Sequence, residues 1–289
     1  MASRQQIKQQ IRSVRNTRQI TRAMQLVAAS KLRRAQEAAE KPQAYAQLAR
    51  EVLTRLRKLA DSSGQFHLFV ERPVKRRLII ALTSDLGLAG AYDANVIRQL
   101  LNEVKIDREA KIETSVFAIG RKVAQAASRV QDLKIEAVYN QLPDHPTADD
   151  LRPILGAIVT LFNDQKVDAV DIIYTHFIST ITQKVQVQRI LPAGFEEAEI
   201  KGDLAEAEAE PSPEELLESA TLRLLEVQIY QAILESLASE QSMRMIAMKN
   251  ATDNANDLIE EYTLEYNNAR QAAITQELAE ISSGAEAMA

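Results

Sequence analysis

Cysteine and tryptophan are both absent from this chain. Without cysteine there is no disulfide framework, no thiolate metal site and no cysteine nucleophile. Histidine is nearly as scarce. His67, His145 and His176 stand in unrelated contexts, so a histidine-based metal centre is not expected. Aromatic residues make up 4% of the 289 positions, too few for a surface that stacks on bases. No apolar run is long enough to cross a membrane, and the polar, basic start lacks the apolar stretch of a secretory signal. Nor do so few histidines and such scattered acids assemble a Ser-His-Asp or paired-carboxylate site. Neither catalysis nor a bound cofactor, metal or small-molecule substrate is therefore expected of this chain.

Glycine and proline are missing over two long stretches. There is neither from Met1 to Lys41, nor from Glu214 to Ser283. Breaker-free runs with helical apolar spacing read as rods, and the second would reach on the order of 100 Å at about 1.5 Å per residue. The first rod carries Ile7, Ile11, Val14, Ile20, Met24, Val27, Ala28, Leu32, Ala35 and Ala39 as its stripe. Pro42 predicts a kink or break. Leu48, Val52, Leu53, Leu56 and Leu59 then continue the pattern, until Asp61-Ser62-Ser63-Gly64 ends it. The second rod starts with Ser212 as N-cap and Pro213 at the first helical position. Its stripe runs Leu222, Leu225, Ile229, Ile233, Leu237, Met243, Ala247, Ala251, Ala255, Leu258, Tyr262, Tyr266, Ala269 and Ala273, and Gly284 reads as its stop. The many alanines permit a close partner helix.

Between the rods the pattern changes to alternating strand and helix. Apolar runs at 77–83, 115–119, 134–139 and 170–176 read as strands, and 184–190 alternates with period two like an edge or antiparallel partner. Helical patterns fall at 96–104, 121–130 and 151–162, with Asp149 or Asp150 as N-cap of the last. This order predicts a largely parallel, helix-covered sheet. The turn Ser84–Gly90 lies between strand and helix, where phosphate-binding loops occur. It matches neither GxGxxG nor a P-loop, so a structural turn built on Asp85, Gly87 and Gly90 is the better reading.

Charge is segregated. No acid precedes Glu37, while Arg4, Lys8, Arg12, Arg15, Arg18, Arg22, Lys31, Arg33 and Arg34 are all basic. Segment 196–218 is acidic, with Lys201 its only base. Such halves point to an interaction surface. Nine bases could also attract nucleic acid, but no aromatic interleaving or recognition motif accompanies them.

The expected architecture is α+α/β. A long antiparallel coiled coil of N- and C-terminal helices (1–60 and 214–289) holds an inserted Rossmann-like α/β domain (75–195), with an acidic linker at 196–213. The longer second rod should project past its partner, exposing an apolar tip of Ile274, Leu278, Ile281 and Met288.

Three segments carry a resemblance. Ile20–Ala35, Met248–Ala255 and Tyr266–Ile281 closely resemble signatures of the F-type ATP synthase gamma subunit, bacterial type, in the right order. The Ser84–Ala91 loop is similar to that family's Ser/Thr-Asp-Arg-Gly-Leu-Cys-Gly turn, with Leu86 in place of Arg and Ala89 in place of Cys. The dithiol insertion of chloroplast members is absent, so the resemblance excludes thiol regulation. It implies a non-catalytic central rotor stalk standing in a ring of three alpha and three beta subunits. It also implies contact with epsilon and the membrane c-ring, on the cytoplasmic face of a bacterial plasma membrane, without membrane insertion. It further implies beta-subunit contacts at Met24, Lys31, Arg33, Arg34, Arg270, Gln271 and Thr275, and a hydrophobic bearing for the apolar tip. A coiled-coil adaptor and a nucleotide-dependent enzyme in the α/β segment are the competing readings.

Overall fold

The computed structural model describes residues 4–59, 67–143, 146–193 and 212–286. The acidic segment 196–211, the breaker cluster 61–64, Asp144, His145 and Met288 lie outside them. Helix α1 spans Arg4–Leu59 and helix α5 spans Pro213–Glu286. Between them run β1 (Arg76–Leu82), α2 (Tyr92–Glu109), β2 (Glu113–Ile119), α3 (Arg121–Ala127), β3 (Lys134–Tyr139), α4 (Ala148–Asn163), β4 (Ala169–Phe177) and β5 (Gln183–Leu191). By internal packing the chain divides into two units: residues 1–28 with 244–289, and residues 29–243.

In the second unit the five strands lie in the order β3-β2-β1-β4-β5. The first four are parallel, and β5 returns antiparallel along β4. Side chains alternate between the two faces with period two. Leu78, Ile80 and Leu82 of β1 share one face with Phe117, Ile119, Ile172 and Ile190. That face is covered by Leu151, Ile154, Ile158 and Phe162 of α4 and by Leu225, Ile229, Ala232 and Ile233 of α5. Ile79 and Ala81 point the other way, with Val116, Ala118 and Ile173, under Val96, Leu100 and Val104 of α2 and Val123 of α3. The central strands β1, β2 and β4 are buried on both faces, which is why they read as continuous apolar runs, while β3 and β5 at the edges are partly exposed.

The α2-facing side also holds a buried charge network. Arg77 of β1 donates to Asp171 of β4, to Glu103 at 2.9 Å and to Asp107 at 3.0 Å. Arg189, opposite Asp171 across the β4–β5 ladder, donates to the same carboxylate, and Thr114 donates to Asp107 at 2.9 Å. Burial works against the Arg77 charge, but Asp171, Asp107 and Glu103 outweigh it and hold the guanidinium pKa above its ordinary value. Removing one partner from such a cluster strands the others in a low dielectric.

Three local expectations are corrected. Of the kink or break expected at Pro42, the break does not occur: α1 is helical from Arg4 to Leu59. A single missing N–H leaves the neighbouring hydrogen bonds of the ladder intact, and good helix formers flank the site. Gly284 does not stop α5, which continues to Glu286. A glycine inside a helix costs only about 1 kcal/mol, and a stop needs the left-handed conformation as well. At α4 the cap is Thr147, not Asp149 or Asp150. Asp150 instead reaches back to accept hydrogen bonds from the Thr147 N–H (2.7 Å) and hydroxyl (2.8 Å). The N-cap of α5 is as expected: the Ser212 hydroxyl accepts from the Glu215 N–H at 3.2 Å.

Two outcomes follow from these contacts. Arg77→Leu lowers stability by about 3 kcal/mol in denaturant unfolding of the full chain, because Asp107 and Glu103 lose their cation. The Thr147 hydrogen bonds, backbone first, hold the Asp150 carboxyl below its ordinary pKa. A depressed carboxyl stabilises above its unfolded pKa and loses that effect as pH falls through the folded value. The stability gap between the parent chain and Asp150→Ala is therefore open at neutral pH and closes below about pH 4, measured by unfolding at a series of pH values.

Candidate functional site: exposed helix faces and the strand-end turn

In the first unit, α1 and α5 pack as a two-helix seam. The Thr21 and Thr252 hydroxyls lie 2.8 Å apart, and Arg18 donates to the Asn256 side chain at 3.2 Å. As α1 advances, its α5 partner recedes, so the pair is antiparallel. On α1 the inward positions are Ile7, Ile11, Val14, Arg18, Thr21, Gln25 and Ala28. On α5 they are Met248, Thr252, Ala255, Ile259, Tyr262, Tyr266, Ala269 and Ala273. Steps of four and three residues are the heptad spacing of a coiled coil. Ala255, Ala269 and Ala273 are among the α5 alanines, with Ala247 and Ala251, that the sequence reading assigned to close approach.

The seam corrects the stripe drawn from hydrophobicity. Ile20 is 60% exposed and Val27 55%, with Leu26 beside them at 65%. On α5 the exposed residue is Leu258, and Ile259 takes its place in the seam. The helix pair therefore shows a second, outward apolar row at Ile20, Ala23 and Val27, next to the exposed Arg22. Met24 is half-buried. In the second unit α1 carries Lys31, half-buried, and the exposed Arg33 and Arg34, of which Arg33 pairs with Glu37 at 2.9 Å.

The register set by Thr21–Thr252 and Arg18–Asn256 puts Arg4, the first described residue, opposite position 269 or 270. Beyond that point α5 has no described partner in this unit. Arg270, Gln271 and Thr275 are exposed there, with the Thr275 hydroxyl donating to the Gln271 carbonyl at 3.0 Å. Ile274, Leu278 and Ile281 are also exposed, the last at 69%. Apolar side chains in this arrangement call for a cover.

In the second unit the Ser84–Gly90 turn stands at the carboxyl ends of the strands, where open α/β sheets bind ligands. Here the amides meet the protein's own carboxylates. Asp93 accepts from the Ser84 N–H (2.8 Å) and hydroxyl (2.9 Å). Asp85 accepts from the Arg121 N–H at 3.0 Å and the Gln141 N–H at 2.7 Å, tying the turn to α3 and to the exit of β3. A phosphate would need those amides free. Gly90 adopts φ +59°, and Gly120 φ +97°, where a Cβ would lie 2.1 Å from the Thr83 carbonyl oxygen. Gly87 has ordinary space around it, with the Lys122 Nζ 4.0 Å from where a Cβ would stand. The turn displays Leu86 and Leu88 to solvent, and the β4–β5 connection displays Ile181, which the sequence reading did not single out. Among the described residues no group of three or more His, Asp or Glu is placed to hold a metal, and no helix is long and apolar enough to cross a membrane.

A family model described as ATP synthase matches residues 3–288. The ATP synthase gamma chain of Brevibacillus brevis is 41% identical over 98% of both chains. Those of Glaesserella parasuis and Legionella pneumophila are 40% identical over the full length of both. The chain belongs to the ATP synthase gamma-chain family. Among solved structures, a chain of the Tetrahymena thermophila mitochondrial ATP synthase central stalk and c-ring is 25% identical. It matches with a TM-score of 0.56, over 80% of this chain and 99% of its own. A chain of the Euglena gracilis mitochondrial ATP synthase shares the fold at TM-score 0.67 and 17% identity, over 99% of this chain and 94% of its own.

Asp85→Ala frees two amides from a charged acceptor. It costs about 2 kcal/mol in thermal unfolding of the full chain while leaving the sheet's circular dichroism unchanged.

Proposed function

We propose that this chain is the central rotor stalk of the F1 part of an ATP synthase, coupling rotation of a membrane c-ring to the beta catalytic sites. One observation carries the reading. In a chain matched over nearly its whole length by gamma chains, α5 pairs antiparallel with α1 and extends past the described residues of α1, with Ile274, Leu278 and Ile281 exposed there. An adaptor would have no need of such a tip. A stalk needs one, to turn in an apolar bearing.

The coupling is conformational. The shaft is asymmetric and the three beta subunits around it are identical, so at any instant each meets a different face. Each face favours a different nucleotide affinity, and rotation passes the three states round the ring. The chain forms no bond with substrate and is not itself catalytic. Met24, Lys31, Arg33 and Arg34 are assigned to acidic lever segments of beta. Arg270, Gln271 and Thr275 are assigned to hydrogen bonds with beta near the top of the shaft, where a charge-assisted bond is comparatively strong. Ile274, Leu278, Ile281 and Met288 form the bearing tip, and Asp85, Gly87 and Gly90 the structural turn. Residues 1–60 and 214–289 supply the coiled coil, 75–195 the foot against c-ring and epsilon, and 196–213 an acidic linker. The complex sits on the cytoplasmic face of a bacterial plasma membrane.

Reconstitution tests this. The purified chain hydrolyses no ATP, and mixing it with alpha and beta subunits yields an active complex. Arg270→Ala lowers turnover of that complex about tenfold, the loss of one charge-assisted hydrogen bond. Appreciable hydrolysis by the purified chain alone overturns the reading.

A further inference from the structure

Within the second unit, α5 is held to the sheet in two physically different ways. Leu225, Ile229, Ala232 and Ile233 pack on the apolar face. The next two turns of the helix make polar contacts to the ends of β4 and α2 instead. Glu235 pairs with His176 Nδ1. The Ser236 hydroxyl lies 2.7 Å from the Tyr92 hydroxyl. Ser239 donates to the Thr175 carbonyl at 3.0 Å, and Ser242 to the Thr180 carbonyl at 2.7 Å. Gln183 of β5 donates to Ser242 at 3.3 Å and Gln231 to Glu235 at 2.9 Å. Ser236, Ser239 and Ser242 are at most 2% exposed.

The two kinds of contact resist different motions. Apolar burial is non-directional: it holds α5 at a distance from the sheet but leaves its rotation about its own axis weakly opposed. Hydrogen bonds and ion pairs weaken steeply with angle, so they fix that rotation. A helix that transmits twist needs the second kind.

We propose that the Glu235–Ser236–Ser239–Ser242 row is the joint through which torque passes between α5 and the α/β unit, making these four positioning residues for coupling. The proposal rests on the rotor reading above. Serine suits the row because a small side chain lets the helix backbone approach the strand end, while its hydroxyl reaches a backbone carbonyl, of Thr175 in β4 or of Thr180 just after it. Loosening the joint lets α5 turn without carrying the sheet with it. ATP hydrolysis then continues while ion translocation falls behind.

The test uses the complete membrane-bound complex in vesicles, reading ATP hydrolysis and ATP-driven proton uptake together. The complex with the parent chain must first show coupled uptake; its failure there sinks the rotor reading rather than the joint. Ser239→Val and Ser242→Val, separately and combined, are expected to keep hydrolysis and to lower the ratio of uptake to hydrolysis threefold or more in the double variant. Because these variants can also disturb folding, a second pair separates the hydrogen bonds from the change of shape: Ser239→Thr and Ser242→Thr have nearly the shape of valine but keep the hydroxyl, and the double threonine variant is expected to keep the parent ratio. An unchanged ratio in the double valine variant, or an equal loss in the double threonine variant, overturns the proposal.

Discussion

The structure depends on the register of one helix pair. The Thr21–Thr252 and Arg18–Asn256 contacts place two polar layers inside a seam that is otherwise mostly apolar. Polar groups in a seam are tolerated only when they meet partners, so they select one register and make slippage costly. That register decides which part of α5 lies opposite the described residues of α1 and which part lies beyond them. The exposed tip and the exposed Arg270–Gln271 face are consequences of the same alignment. So is the outward row at Ile20 and Val27, since seam positions taken by Arg18, Thr21 and Gln25 push those aliphatic residues to the surface.

The α/β unit solves a different problem. Its central strands β1, β2 and β4 are buried on both faces and follow from apolar runs, and the edge strand β5 from its alternation. A buried charge cluster around Arg77 sits on the face where α2 can supply two carboxylates. At the carboxyl ends of the strands, the place where this architecture usually binds phosphates, Asp85 and Asp93 occupy the amides. These hydrogen bonds tie the turn to α2, α3 and the exit of β3.

Much of this was legible in the sequence, and the reasons differ by element. Strands and helices of the middle region could be read because the central strands are buried on both faces, the edge strand β5 alternates, and each helix carries a clean period. The α5 start was legible from Ser212 and Pro213, whose roles follow from backbone chemistry. The seam was only partly legible. Ile7, Ile11 and Val14 set a four-three spacing that leads to Arg18, Thr21, Gln25 and Ala28, but reading by hydrophobicity jumped instead to Ile20 and Val27. Pairing with Asn256 and Thr252 is a tertiary fact, invisible in α1 alone. Thr147 was missed as a cap because the acids after it looked like better candidates; a capping box uses both. The polar row on α5 was hidden for a similar reason: serines inside a helix carry no signal until the strand end they meet is known.

The central claim is that this chain turns as one piece inside a ring of alpha and beta subunits. The most direct measurement fixes that ring to a surface, attaches an optical probe to the α/β unit of this chain, and watches the probe during ATP hydrolysis. The account predicts sustained rotation in a single direction, at a rate that follows ATP turnover. A probe that stays still or only fluctuates, while hydrolysis proceeds at full rate, contradicts it.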